Sequence, residues 1–277
     1  MRRGIQILQI VVVAFFMSVS TAFASSSNEA ETNQALEAAT NAFEAMKAGN
    51  VNELIANTKD LNFNDESARR SHYEKSFQDQ TVTSYQIISE NKLNDNKVEL
   101  KVKLTLSETG VLPVLPYSVV KENGTWMLQI EPLKINLENS QDYGKVSAGK
   151  PMETIKFIEP SYTAFGSVAY YSFDNLATNK SITINSAYSI SKNQVTFHGW
   201  QTTLRSATPK LKYHVIKYFL GQEQSYGSAV VSGDIPQSGT WYSEVASVSS
   251  TGSNFYTMIE NISNNFDSAS GAGNVYE

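Results

Sequence analysis

Three histidines, His72, His198 and His214, are the first residues to test for metal or acid–base chemistry. None stands in an H-E-x-x-H pattern or at any other spacing that sets two ligands on one helix face. The sequence therefore predicts no metal site. His72 lies among Arg69, Arg70 and Glu74 on a helical stretch, where a solvated imidazole is expected. His198 and His214 fall on separate strand-like runs and meet only if those strands are neighbours. Serine is abundant, yet no serine sits in a G-x-S-x-G elbow. No glycine-rich phosphate loop is present, and no cofactor is expected. The chain has no cysteine, which removes disulfides, thiolate ligands and a thiol nucleophile.

A second kind of chemistry is stacking. The C-terminal half is rich in aromatic residues, among them Trp200, Trp241 and Tyr242. An exposed Trp or Tyr on a sheet offers an apolar ring face for a sugar ring or a protein partner. Adjacent strand residues point to opposite faces, so Trp241 and Tyr242 must place one ring inward and one outward. Only the outward ring is available for contact. Trp200, Trp241 and Tyr242 are the candidate ligand-binding residues.

These residues need elements to hold them. Leu36, Ala39, Phe43 and Met46 recur at helical spacing and predict a first helix that ends at Gly49. Asn50 with Glu53 forms a capping-box pattern for a short second helix. A third helix is predicted over 66–77. The period then changes. Val98, Leu100, Val102, Leu104 and Leu106 alternate with Glu99, Lys101, Lys103 and Thr105, the pattern of a strand with one buried face. Asn123-Gly124 between two apolar runs is a hairpin signal.

Three helices followed by a meander of strands closing on Lys121-Glu122-Asn123-Gly124-Thr125-Trp126 resemble the nuclear transport factor 2-like superfamily, over about residues 30–135. Exported bacterial members are the nearest in look, through the helix end Met46-Lys47-Ala48-Gly49-Asn50 and the late hairpin. The resemblance implies a cone in which a curved antiparallel sheet wraps a long first helix. It also implies that a catalytic member would place an acid or base and a Tyr or His in the mouth of the cone. The residues here that could occupy that mouth are Asp60, Tyr73 and Tyr85. A carboxylate in such an apolar pocket would have its pKa raised toward neutrality.

Residues 136–160 read as a linker, with Gly144, Gly149, Pro151 and Pro160. Beyond it the composition shifts to 30 Ser or Thr against 13 charged residues over 161–277. Short apolar runs separated by turn-prone stretches predict an antiparallel sandwich there. The tail Gly271-Ala272-Gly273-Asn274-Val275-Tyr276 is expected as a last edge strand. The fold class is thus α+β: an N-terminal cone of helix and curved antiparallel sheet over 25–135, then an all-β sandwich over 161–277.

The address comes from the first 24 residues. Arg2 and Arg3 precede an apolar run, Ile10 to Met17, and Ala22-Phe23-Ala24 follows. This is the layout of a secretory signal peptide. The run is too short to span a membrane, and no membrane span is expected after cleavage. Export without cysteine points to a bacterial source. The net charge of −5 supplies no basic footprint for nucleic acid. The leading expectation is a non-catalytic binding or interaction protein of the cell surface or medium, with a protein or cell-wall ligand as partner and a homodimer as one use of the cone. Two alternatives stand beside it: an enzyme using the cone's pocket, and a carbohydrate- or wall-binding accessory protein using the sandwich aromatics. N-terminal sequencing of the native protein should start at Ser25 or within one or two residues of it; a start at Met1 would remove the case for export.

Overall fold

The computed structural model describes residues 25–138, 141–152, 156–158, 166–203, 208–264 and 267–277. The expected signal sequence lies outside the described residues. Helix α1 (Ser25–Ala48) buries Ala35, Ala39, Ala42, Phe43 and Met46 along one stripe. It stops where Gly49 takes φ +64°, a conformation that costs a residue without Cβ nothing. The Gly49 N–H then reaches Met46 O at 3.3 Å, and the Asn50 N–H reaches Ala45 O at 2.9 Å. This pair of bonds satisfies carbonyls that the helix end would leave open. Asn50 caps α2 (Val51–Asn57) through its side chain, which accepts from the Glu53 N–H at 3.2 Å. Asp65 caps α3 (Glu66–Asp79) by accepting from the Ala68 N–H at 2.7 Å.

The first sheet holds β1 (Thr58–Asp60), β2 (Val82–Asn94), β3 (Lys97–Leu106), β4 (Gly110–Glu122) and β5 (Thr125–Ile130), in the order β1-β5-β4-β3-β2. All neighbours are antiparallel except β1 and β5. Asn123 and Gly124 both have positive φ, as a tight hairpin turn requires. Helix α1 packs against this sheet. Glu31 of α1 accepts from Lys121 Nζ at 2.8 Å and from the Trp126 indole N–H at 3.2 Å, so the hairpin is tied to the helix. Val98, Leu100, Val102, Leu104 and Leu106 of β3 are buried, while Lys101 and Lys103 are exposed.

The chain then builds two further sheets. The larger contains β6 (Leu133–Asn136), β7 (Val146–Ala148), β8 (Lys156–Ile158), β10 (Ser181–Ile184), β11 (Tyr188–Ile190), β13 (Lys210–Phe219), β14 (Gln222–Ser232) and β16 (Gly252–Asn261). Its order is β7-β6-β14-β13-β16-β10-β8, with β11 also paired to β16. The smaller runs β15-β12-β17-β9, formed by β9 (Ser167–Leu176), β12 (Gln194–Thr203), β15 (Tyr242–Ser247) and β17 (Ala269–Tyr276). The two sheets meet through rings: Tyr171 of β9 and Phe197 of β12 lie 5.5 Å and 5.4 Å from Tyr213 of β13.

Two local expectations are corrected. The stretch 136–160, read as a linker, contains β7 and β8, both hydrogen-bonded into the larger sheet. Short strands of three residues carry too little pattern to show in a Gly- and Pro-containing segment. The tail 271–276 is not an edge strand: β17 is bonded to β12 on one side and β9 on the other.

The β13–β14 hairpin turns on Leu220 and Gly221, at φ +49° and +79°. Its tip docks on the N-terminal half. The Gly221 N–H donates to His72 Nε2 at 3.0 Å, and the Leu220 N–H to Ser76 Oγ at 3.3 Å. A Cβ on Gly221 would stand 2.5 Å from Asn62 Cγ. Phe77 and Phe219 pack edge to face at 6.2 Å. One buried apolar cluster includes residues of both halves.

The β3 pattern makes a direct test. Leu100→Ala or Leu104→Ala should cost about 2–5 kcal/mol, as truncation of buried leucines does. Lys101→Ala or Lys103→Ala should stay within about 0.5 kcal/mol. Urea unfolding of the four variants checks this; equal sensitivity on both faces would contradict the one-sided burial.

Candidate functional site

Asp60 ends β1, and Tyr73 lies two turns into α3. The fold brings them together: the Tyr73 hydroxyl donates to Asp60 Oδ2 at 2.5 Å. The other carboxylate oxygen accepts from the Asn62 backbone N–H at 2.7 Å and from Asn62 Nδ2 at 2.8 Å. Burial pushes the Asp60 pKa up, and these hydrogen bonds and the nearby Arg69 act against that rise. Arg69 lies over the Tyr73 ring at 5.1 Å and donates from Nε to its hydroxyl at 3.2 Å. Its Nη2 also donates to Thr58 O at 3.1 Å. Burial, reinforced by the Asp60 charge, holds the Tyr73 hydroxyl well above its ordinary pKa. Every partner here belongs to β1, α3 or the loop between them. The group ties helix to strand, with both carboxylate oxygens engaged.

Tyr85 stands elsewhere. Its ring stacks on Phe43 at 5.1 Å, and its hydroxyl donates to Glu44 Oε1 at 2.9 Å. The three residues expected in one cone mouth thus divide into a bonded pair and a separate third.

The histidines also depart from expectation. His72 is not a solvated surface residue: it is half-buried, accepts the Gly221 N–H and packs 5.1 Å from Phe63. Burial, with help from Lys75, lowers its pKa to about 4, so it is neutral at pH 7. His198 and His214 do not meet: their neighbours Phe197 and Tyr213 face each other between the two sheets, so the pleat turns the two histidines to opposite outer faces. His214 is buried beside Glu260 at 3.4 Å. Among the described residues no group of three or more His, Cys, Asp or Glu is placed to hold a metal.

The aromatic candidates fare differently. Register across the smaller sheet places Tyr171, Gly273, Gly199 and Tyr242 side by side on β9, β17, β12 and β15. All four face inward, where the Tyr171 and Tyr242 hydroxyls meet at 2.6 Å. Tyr242 is therefore core and not a contact residue. The neighbouring rows face outward by the pleat. One row runs Tyr170, Asn274, His198 and Ser243; the next runs Ser172, Ala272 and Trp200. Trp241 stands on the outer side, 5.5 Å from the His198 ring, and Tyr276 lies 6.2 Å from His198 on the other side.

Trp200, Tyr170, Ser172, Asp174, Ser270 and Ala272 line an outer groove of about 390 Å³. Its lining combines small side chains, Ser172, Ser270 and Ala272, with the rings of Tyr170 and Trp200. The rim polar group is preset: Asp174 Oδ1 accepts from Ser270 Oγ at 2.5 Å, and Oδ2 accepts from Asn175 Nδ2 at 3.0 Å. Trp200, half-buried, presents an indole beside this carboxylate. Such a site can stack a ring face on Trp200 while hydroxyl groups bond at Asp174 and the serines.

No family model matches the chain, and no curated protein matches it. No helix among the described residues is long and apolar enough to cross a membrane.

Sequence reasoning named Trp200 and Trp241 but missed Asp174, Tyr170 and Ser270, which adjoin Trp200 only through the β9–β17–β12 pairing. It also missed the junction role of His72. Because the folded pKa of His72 is depressed, protonation favours the unfolded chain. Its contribution to stability is complete above about pH 6.5 and is lost as pH falls toward about 4. Buried His214 is lowered in the same direction and leaves a residual slope. His72→Gln can still accept the Gly221 N–H. Its Tm should fall less steeply than the wild-type Tm between pH 6.5 and 4. Identical slopes would show that His72 does not titrate differently on folding.

Proposed function

We propose that this is an exported, non-catalytic saccharide-binding protein of the bacterial cell surface, with the outer face of the four-stranded sheet as its recognition surface. The observation that carries the reading is the Trp200 groove. A pyranose has an apolar face of C–H groups and an equatorial rim of hydroxyls. An indole with a fixed carboxylate and serine hydroxyls beside it matches both features. The further rings of His198, Trp241 and Tyr276 extend the same face, which suits a chain of sugars better than one ring.

In this reading the N-terminal half is a nuclear transport factor 2-like cone that serves as a base for the sandwich. The packing of α1 on an antiparallel sheet supports that assignment. The pattern of residues 1–24 supports export. The pocket-enzyme alternative is the weaker one, because Asp60 spends both oxygens on internal partners.

The test uses the mature protein with soluble cell-wall and plant polysaccharides, read by indole fluorescence and calorimetry. Trp126 is buried on the hairpin, so a ligand-induced change reports chiefly on Trp200 and Trp241. Trp200→Ala should weaken binding about tenfold or more, corresponding to about 1.4 kcal/mol. Lys101→Ala, on the first sheet, should bind normally. Saccharide binding that survives Trp200→Ala unchanged, or none to any polysaccharide, would sink the proposal.

A further inference from the structure

A second cavity lies where α3 meets the outer face of the larger sheet. It measures about 170 Å³. Among the described residues, His72, Lys75, Ser76 and Asp79 of α3 line one side, and Tyr218, Tyr256 and Met152 the other, with Asn185 at the exposed edge. The volume is close to that of buried cavities that admit benzene. The two tyrosine rings stand 6.5 Å apart, tilted by 51°. Met152, Tyr218 and Tyr256 belong to one small apolar cluster with Ile216 and Met258. A methionine in such a wall adapts its shape to an occupant.

The polar side of the cavity is electrically balanced. Lys75 Nζ lies 3.1 Å from Asp79 Oδ2 and 5.7 Å from the Tyr256 ring centre. The cation therefore already has its anion. His72 accepts the Gly221 N–H at Nε2, so its neutral ring carries the proton on Nδ1. That N–H is a neutral donor on a residue that lines the cavity. A site with apolar ring walls, a few neutral polar groups and its one ion pair closed on itself selects against ions. A saccharide, polar on its whole rim, also suits it poorly.

We infer that this cavity between α3 and the larger sheet binds a neutral single-ring aromatic molecule bearing one hydrogen-bonding oxygen, of phenol size. The site is independent of the saccharide groove: it uses none of the same residues and lies on a different sheet. Pockets of this kind, apolar with a few convergent polar groups, form where separately packed units meet. Here the units are α3 and the β13–β16 face, held in place by the β13–β14 hairpin tip.

The probe is phenol, with benzoate as the charged comparison, titrated into the mature protein and followed by ligand-observed NMR and calorimetry. Phenol should saturate with a Kd of about 1 mM or tighter, and benzoate should bind at least about tenfold more weakly. Asn185→Trp places a large side chain at the exposed edge without altering the core. It should weaken phenol binding about tenfold or more while leaving Tm unchanged. Trp200→Ala should bind phenol as the wild type does. Absence of saturable phenol binding would overturn the inference. So would equal binding of phenol and benzoate, or phenol binding lost in Trp200→Ala and kept in Asn185→Trp. Loss of saccharide binding alone would strike the proposed function and leave this site standing.

Discussion

The row Tyr171–Gly273–Gly199–Tyr242 sets the geometry on which the smaller sheet and its outer face depend. Tyr171 on β9 must lie across two strands to reach Tyr242 on β15. Any Cβ in its path is excluded: one on Gly273 would stand 2.4 Å from the Tyr171 hydroxyl oxygen, and one on Gly199 2.6 Å from it. The next inward row repeats the device: a Cβ on Gly271 would stand 2.6 Å from Phe173 Cζ. Glycine weakens a strand by entropy and by leaving nothing to pack. A ring from a neighbouring strand replaces the missing packing surface. Once these rows face inward, the pleat leaves Tyr170, Ser172, Trp200, His198 and Asn274 no choice but the outer face. The outer face proposed for recognition is thus a consequence of how the core is filled.

The second organising contact is the tip of the β13–β14 hairpin. Leu220 and Gly221 both adopt positive φ, which is costly for a leucine. The surroundings compensate by receiving both amides, at Ser76 and His72, and by burying the Leu220 side chain. Beneath the tip lies Asn62, itself held by Asp60, which Tyr73 and Arg69 position in turn. A chain of hydrogen bonds thus runs from β1 through α3 to the larger sheet. The raised pKa of Asp60 belongs to this structural chain. Perturbed titration marks buried networks as readily as it marks active sites.

The two proposed sites differ in chemistry because they differ in shelter. The outer groove is shallow and ringed by serines and a carboxylate, which suits a hydroxyl-rich ligand kept partly in water. The α3 cavity is smaller and apolar, with its one ion pair closed on itself. Neither site uses the Asp60–Tyr73 pair, and each takes its lining from elements far apart in the chain.

What the sequence alone determined is whatever depends on neighbours a few residues away. Gly49 stopping α1, Asn50 capping α2 and Asn123-Gly124 turning the hairpin each act through hydrogen bonds or φ preferences within about five residues. The one-sided burial of β3 was equally legible, since alternation over ten residues states which face is dry. The opposition of Trp241 and Tyr242 followed from the pleat, but which of them turned inward did not. That choice was made by Tyr171, seventy-one residues earlier in the chain. The inner place of β17, the pairing of β7 and β8 in the supposed linker, and the meeting of His72 with Gly221 were decided only by tertiary structure. In each case the partner lies far along the chain, and its free energy comes from surface that exists only once both segments are folded.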